Sequence, residues 1–299
     1  MHGDREGGVA RATVERSWRA VCRCVPWVCL LAWGTLAVDA ARPAAAPGSR
    51  AARSAAIRAI PLDRMDEAAR NKAIAVLTRT SLFRQLPRQV IDCDPAYYLF
   101  LVRHPEVIVS IWKKMDATDL TFARRGPERF YAEDGAGTVG NFEFLYGDQK
   151  THVLYGEGSY SGPLTARPVH ARCLLVLSAD YLHDGNGGHF VANQLDLFLD
   201  IKNVGVELVA KTFQNMIGRA TDQNFVETAN FVTKLGRTTE KNGPGVQRLA
   251  EQLPGLQPDV RAAFAEQAGI VYRKARARQA ALQMDPQQTA QVLRAQDGE

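Results

Sequence analysis

The sequence is poor in cysteine, which occurs five times in 299 residues. Cys22, Cys24 and Cys29 lie close to the N-terminus, and only Cys93 and Cys173 follow them. Two cysteines this far apart exclude a cysteine-based metal centre and limit the later part of the chain to one disulfide. Two alternatives stay open for this pair: one disulfide in an oxidising compartment, or two separate buried thiols that behave as small apolar residues.

The N-terminal apolar segment is too short to span a bilayer comfortably. Val25–Val38 carries no charge but has only 14 residues, whereas a transmembrane helix needs about 20. Val38-Asp39-Ala40 places small residues where a signal peptidase reads them, and no lipoprotein cysteine follows. We therefore predict that residues 1–40 are a signal peptide cleaved near Ala40 and that the protein is exported, either periplasmic or extracellular. The alternative is an uncleaved membrane anchor formed by residues 25–38. Arg11, Arg16, Arg19 and Arg23 lead into the apolar segment.

The chain also lacks a complete catalytic or cofactor-binding signature. The spacing G-x-G-x-x-G occurs in "DGAGTVGN" (134–141), but a dinucleotide site needs a helix after the glycines. Residues 141–146 instead alternate with the period of a strand, so we predict a hairpin turn. His183 and His189 flank a glycine-rich loop, and the sequence shows no clear third metal ligand near them. We expect no cofactor and no metal, and we favour a binding protein over an enzyme.

Charge gives little indication of a macromolecular partner. The net charge of +5 is mild for this length, and we expect no binding to nucleic acid. The basic segment 273–278, "RKARAR", has no aromatic residues between its cations. We interpret it as a solvated helix face. The one charged partner that it suggests is an anionic envelope surface, bound weakly.

The periodicity of apolar residues divides the chain into four parts. After the signal peptide, residues 41–60 are rich in Ala, Pro and Arg and predict a flexible linker. Residues 61–239 form the predicted folded part, and residues 240–299 form a polar helical tail. The 46% of apolar residues and 23% of charged residues are typical of a globular chain.

Within the folded part, the pattern predicts helices at both ends and strands between them. A helix is expected from Asp63 to about Gln85, followed by a short strand and by two helices that are separated at His104-Pro105. From residue 120 to 202 the period is two, which predicts five to six antiparallel strands joined by hairpins. A long amphipathic helix is expected from residue 204 to about 235.

This order of elements resembles the helix-grip fold of the START-like superfamily, which includes pollen allergens, polyketide cyclases and lipid-transfer domains. The resemblance covers about residues 88–236 and includes "VIDCDPAYYLFLVRHPEVIVSIWKKM" (90–115), which is similar to the first strand and helix pair of that superfamily. It implies an α+β fold in which a curved antiparallel sheet of five to seven strands grips a long C-terminal helix. An extra N-terminal helix and a helical tail are expected in addition.

The resemblance also implies a pocket between sheet and helix for an apolar ligand, such as a lipid, a sterol-like molecule or an aromatic compound. The alternatives are an enzyme of the same layout, which performs proton transfer or cyclisation with inward carboxylates, and an interaction domain without a ligand. The candidate carboxylates are Glu143, Glu157, Asp196 and Asp200. The candidate wall residues, which would otherwise be ordinary core, are Phe142, Phe144, Tyr146, Val153, Tyr155, Phe213, Met216 and Ile217.

Overall fold

The computed structural model describes residues 48–162, 167–184, 188–202 and 214–283, without the side chains of residues 214–220 and 282–283. The predicted signal peptide, residues 1–40, lies outside the described residues. Among the helices of the described part, none is long and apolar enough to cross a membrane.

Among the described residues, two α-helices precede the sheet. Helix α1 (Arg50–Ala59) occupies a segment for which the sequence predicts a flexible linker. The Oγ atom of Ser49 accepts a hydrogen bond from the Ala52 amide (3.1 Å) and caps the helix. Alanine has the highest helix propensity, and Ala52 and Ala56, one turn apart, are buried. This segment is therefore helical, although its low-complexity composition predicts a linker.

Helix α2 (Glu67–Thr78) is shorter than the helix predicted from residue 63 to 85. Asp66 caps its N-terminus by accepting a hydrogen bond from the Ala69 amide (2.7 Å). Residues 82–85 form the first strand instead of a helical extension, because they pair with residues 196–199 on a long strand. That pairing is a tertiary contact, which local propensity does not encode.

The strands of the described part are β1 (Leu82–Gln85), β2 (Gln89–Asp92), β3 (Thr121–Arg124), β4 (Arg129–Glu133), β5 (Thr138–Gly147), β6 (Thr151–Tyr160), β7 (Val169–His183) and β8 (His189–Ile201). They form one antiparallel sheet, in the order β1-β8-β7-β6-β5-β4-β3. Strands β3 to β8 are consecutive neighbours, which confirms the predicted meander. The sheet has eight strands rather than five to seven because two four-residue strands, β1 and β2, pair with different parts of β8.

The predicted pair of helices after β2 is confirmed. Helix α3 (Pro95–Arg103) and helix α4 (Pro105–Lys114) meet at His104. Asp94 caps α3 by accepting hydrogen bonds from the amides of Ala96 (2.9 Å) and Tyr97 (3.1 Å). Each helix begins with a proline, which has no amide hydrogen to leave unpaired there.

In the described part of the chain three further helices follow: α5 (Gln214–Lys241), α6 (Gly243–Glu251) and α7 (Pro258–Gln283). The segment from 243 to 283 contributes side chains to the hydrophobic core and is not only a solvent-exposed tail. Val246, Phe264 and Val271 belong to the same apolar cluster as α3, α4 and α5. Within the basic segment, Lys274 forms an ion pair with Asp94 (2.9 Å).

The elements form layers around the sheet. Helices α1 and α2 pack with Val153, Leu174 and Phe198 against the outer face. Helices α3, α4 and α5 lie on the inner, concave face, and α7 packs against α3 and α5. The fold is therefore α+β, with a curved antiparallel sheet and a long C-terminal helix in a helix-grip-like arrangement.

The glycine motif "DGAGTVGN" lies at the hairpin between β4 and β5, as predicted. Gly135 and Gly137 have positive φ angles of 69° and 104°, which glycine adopts without steric cost. Asp134 Oδ1 accepts hydrogen bonds from the amides of Ala136 (2.7 Å) and Thr138 (2.8 Å) and fixes the turn. Strand β5 starts at Thr138, so the motif opens a strand and not the helix that a pyrophosphate site requires.

Candidate functional site

A large apolar cavity lies between the concave face of the sheet and helices α3, α4 and α5. Its volume is about 360 Å³, within the range that is usual for small-molecule sites. Leucines of three adjacent strands form its wall on the sheet side. They are Leu154 of β6, Leu175 and Leu177 of β7, and Leu195, Leu197 and Leu199 of β8.

Strand register explains why these residues share one face. Phe142, Gly156, Cys173 and Leu199 are successive cross-strand partners on β5 to β8, and directly opposed residues point to the same side of a sheet. A Cβ atom added to Gly156 would lie 2.7 Å from both Cys173 Sγ and the Phe142 ring. The absence of a side chain at residue 156 therefore lets the Phe142 ring lie across β6.

The predicted wall residues divide between the two faces. Phe142 and Phe144 line the cavity. Tyr146, Val153 and Tyr155 instead pack on the outer face beside α1 and α2. The described part of the cavity wall therefore excludes these three.

Two features of the strands cause this division. The β5–β6 register shifts between Phe144 and Tyr146, where a bulge changes the alternation. At the start of β6 the residues that face the cavity are His152 and Leu154, one position out of phase with Val153 and Tyr155. The remaining predicted positions, Phe213 and the side chains of Met216 and Ile217, lie outside the described residues.

The cavity has a polar end at Asn193 and Tyr98, and a third buried polar side chain, His152 of β6, lies elsewhere in its wall; the sequence did not indicate them. All three side chains are at least 95% buried, with exposures of 4%, 3% and 5% respectively. Asn193 Nδ2 donates a hydrogen bond to Tyr98 Oη (3.3 Å). Asn193 Oδ1 and His152 Nε2 are buried without a hydrogen-bond partner among the described residues, which is an uncommon situation for buried polar atoms.

His152 is a neutral imidazole at physiological pH. Burial, together with the positive charge of Arg103, lowers its pKa to about 4, against a smaller opposing effect of Asp148. The ring lies edge-on to Phe144, with centroids 6.1 Å apart. His152 therefore adds a polar but uncharged group to the cavity wall.

The two open alternatives for the cysteines are now resolved in favour of separate thiols. Cys93 and Cys173 are both free and buried. Burial raises the pKa of Cys173 to about 12, and burial, followed by the charge of Asp94, raises that of Cys93. Neither thiol forms the thiolate that a nucleophile requires.

Three of the four candidate carboxylates, Glu143, Asp196 and Asp200, are not among the described residues that line the cavity. Asp200 accepts hydrogen bonds from the Arg172 guanidinium (2.5 and 3.2 Å), and Glu143 forms an ion pair with Lys72 of α2. Asp196 accepts a hydrogen bond from Gln85 Nε2 (3.0 Å), and burial raises its pKa against that bond. Glu157, which lies at the wall, accepts a hydrogen bond from Tyr155 Oη (2.9 Å).

Helix α5 forms the roof and is joined to the sheet by two ion pairs. Near its N-terminal part, Asp222 binds the Arg84 guanidinium of β1 through both oxygens, with an Nε–Oδ1 distance of 2.7 Å. Near its C-terminal part, Arg237 Nε lies 2.7 Å from Asp92 Oδ2 of β2. Phe225 packs against the leucines of the concave face. The roof is thus held to the sheet edge at two points.

The histidine hairpin gives no metal site in the described part of the chain. His183 and His189 are cross-strand partners whose Nδ1 atoms lie 2.7 Å apart. Across the described ranges there is no group of three or more His, Cys, Asp or Glu side chains that could hold a metal ion. Two nitrogen ligands alone do not complete a typical zinc site.

Comparison with known proteins gives remote structural likeness only. No family model and no curated protein matches the chain. A conserved protein from Geobacillus kaustophilus is 10% identical, with 48% of this chain and 93% of that one covered and a TM-score of 0.33. Ara h 8.0201 is 14% identical over 49% and 99% of the two chains (TM-score 0.25). The di-domain ARO/CYC protein BexL is 14% identical over 56% and 52% (TM-score 0.25).

Proposed function

We propose that the protein is a non-enzymatic binding protein that holds a hydrophobic small molecule or lipid between its sheet and its long helix. The observation that carries this proposal is the cavity of about 360 Å³ behind α5, with its wall of leucines and aromatic rings. A site of this kind gains affinity by removing apolar ligand surface from water.

The cavity also counts against an interaction domain whose aromatic residues only fill the core. Protein interiors are packed as densely as organic crystals, and large voids in them are few. Leu154, Leu177 and Leu195 remain partly accessible although they lie in the interior of the sheet. A ligand would cover these side chains and replace the contacts that they lack.

Native mass spectrometry of the full-length gene product, purified from its own source without detergent, tests the proposal. We expect a species heavier than the polypeptide, because a ligand buried behind α5 dissociates slowly, and we expect the extra mass to disappear on denaturation. The extra mass identifies the ligand. Repeated preparations that contain only the mass of the polypeptide would count against a binding protein.

We further propose that the protein is exported and that residues 1–40 are removed. The support is the basic N-terminus, the 14-residue apolar segment and the small residues before the cleavage site. In the same experiment, the denatured sample should have the mass of residues 41–299. A mass that includes residues 1–40 would favour the membrane anchor instead.

A further inference from the structure

The polar end of the cavity carries more information than its apolar wall, because unpaired buried polar atoms indicate what a ligand supplies. Asn193 and Tyr98 lie on opposite sides of the cavity, on β8 and α3, and their hydrogen bond joins the sheet to the helix layer. Asn193 Oδ1 has no partner among the described residues. Leaving such an atom buried and unpaired costs about 1–3 kcal/mol.

The unused hydrogen-bonding capacity of the pair comprises one donor and one acceptor. Tyr98 Oη accepts from Asn193 Nδ2, so its own hydrogen remains available for donation. Asn193 Oδ1 remains available as an acceptor. A hydroxyl group matches this pair, because it donates and accepts at one atom. With the amide of Asn193 in its other orientation, the roles are exchanged and a hydroxyl still satisfies both.

Charge in the wall disfavours an anionic headgroup. Among the described residues that line the cavity, Arg172 is the only one with a permanent positive charge, and its guanidinium is bound to Asp200. The acidic lining residues are Glu133, Asp134, Glu157 and Glu227. A carboxylate or phosphate placed in this apolar space would be buried without a counter-charge, at a high desolvation cost.

The shape of the cavity favours an elongated molecule. Its lining follows β6 from His152 to Tyr160. Eight residue steps along a strand correspond to about 27 Å of contour length. Along this path the lining passes Leu154 and the glycines at 156 and 158, and it ends at the polar residues Glu157, Ser159 and Tyr160.

We infer that the ligand is an uncharged, elongated apolar molecule with a hydroxyl group, a long-chain alcohol in its simplest form, and that the hydroxyl binds between Asn193 and Tyr98. This inference rests on the proposed function and adds the chemical class and the orientation of the ligand. The hydroxyl donates to Asn193 Oδ1 and accepts from Tyr98 Oη, and the chain extends along β6. His152 lines the cavity elsewhere, on β6, and adds no charge to the wall.

Competition against an uncharged fluorescent reporter, phenylnaphthylamine, tests this assignment with three probes of equal chain length. Dodecanol should displace the reporter from the full chain, whereas dodecanoate should compete at least about 100-fold less well, because its charge is buried unpaired. Dodecane should also displace the reporter, since it uses only the apolar wall.

Two near-isosteric variants locate the hydroxyl. Tyr98→Phe and Asn193→Leu should each weaken dodecanol about tenfold and change dodecane by less than about twofold. Tyr155→Phe is the matched control, because it removes the same hydroxyl from a tyrosine on the outer face, and it should change neither affinity. Tyr98→Phe keeps the ring packing and decides the question by itself if Asn193→Leu fails to fold.

The outcomes separate the inference from the proposed function. The inference is overturned, with the proposed function intact, if dodecanoate competes as well as dodecanol. It is likewise overturned if both variants affect dodecanol and dodecane equally. If neither the reporter nor any probe binds, the proposed function fails and the inference fails with it.

Discussion

Replacing Phe264 by Ala should lower the free energy of unfolding by about 3–5 kcal/mol, the typical cost of removing a large buried aromatic side chain. Phe264 of α7 is fully buried. Its ring stacks on Tyr97 and on Phe100 of α3, with centroid distances of 6.2 Å in both cases. Urea denaturation monitored by circular dichroism measures the change.

The control for this variant is Arg276→Ala on the same helix. Arg276 is exposed, and a surface substitution of this kind usually changes stability by less than about 0.5 kcal/mol. If Phe264→Ala and Arg276→Ala have equally small effects, α7 does not belong to the cooperative core. The comparison therefore decides whether the segment after residue 240 is part of the folding unit.

The second large effect should be a loss of stability between pH 6.5 and pH 4 that depends on His152. Its pKa is about 4 in the folded protein and 6.5 as the ordinary value. Within this range the unfolded chain binds the proton and the folded chain does not, so stability falls as the pH falls. A difference of this size corresponds to about 3 kcal/mol, fully present above pH 6.5 and lost by about pH 4.

His152→Phe isolates this contribution from that of the carboxylates. The stability of the wild type should fall more steeply than that of the variant across this range, and the two curves should run parallel above it. The neighbouring Asp148 does not titrate there: although burial alone would raise its pKa, hydrogen bonds from Tyr146 and from backbone amides lower it to about 2. Parallel curves from pH 7 to pH 4 would show that His152 is not held neutral by burial.

The order of the central elements, from β2 to α5, could be predicted from the sequence because periodicity records them directly, and the resemblance of that order to the helix-grip fold implied the fold class. The hairpin at "DGAGTVGN" and the break at His104-Pro105 each depend on local chemistry, the positive φ of glycine and the missing amide of proline. Such local effects can be predicted from the sequence. The pairing of residues 82–85 with β8 cannot be predicted in this way, since it joins segments more than 100 residues apart.

The alternation of residue types along the strands did not indicate which face of the sheet holds the cavity. Helices cover both faces, so apolar residues occupy both phases of β6, and Val153 appears as suitable a wall residue as Leu154. The glycines of β6 were the informative signal. Gly156 and Gly158 alternate with Tyr155 and Glu157, and glycines in a strand interior indicate that another group approaches the backbone closely or that the strand bends sharply. They lie at the cavity wall.

The buried polar groups of the cavity wall escaped prediction for a further reason. Asn193 and His152 lie on strands whose neighbouring residues are mainly apolar, and their importance depends on burial and on missing partners. Neither property is encoded in a residue type. Tyr98 on α3, the hydrogen-bond partner of Asn193, has the same pattern as an ordinary core aromatic residue.

The measurement that tests the cavity as a binding site most directly is a reporter titration on a matched pair of tryptophan variants. Leu177 and Leu182 both lie on β7, but Leu177 faces the cavity, whereas Leu182 lies outside it with 46% of its surface exposed. Leu177→Trp should reduce the affinity for phenylnaphthylamine at least about tenfold by filling the space. Leu182→Trp should leave it within about twofold. Leu195→Phe is a second variant that fills the same cavity. Thermal melting checks that each of the three variants is folded. Equal reporter affinity in the wild type and in the folded Leu177→Trp and Leu195→Phe variants would contradict ligand binding in this cavity.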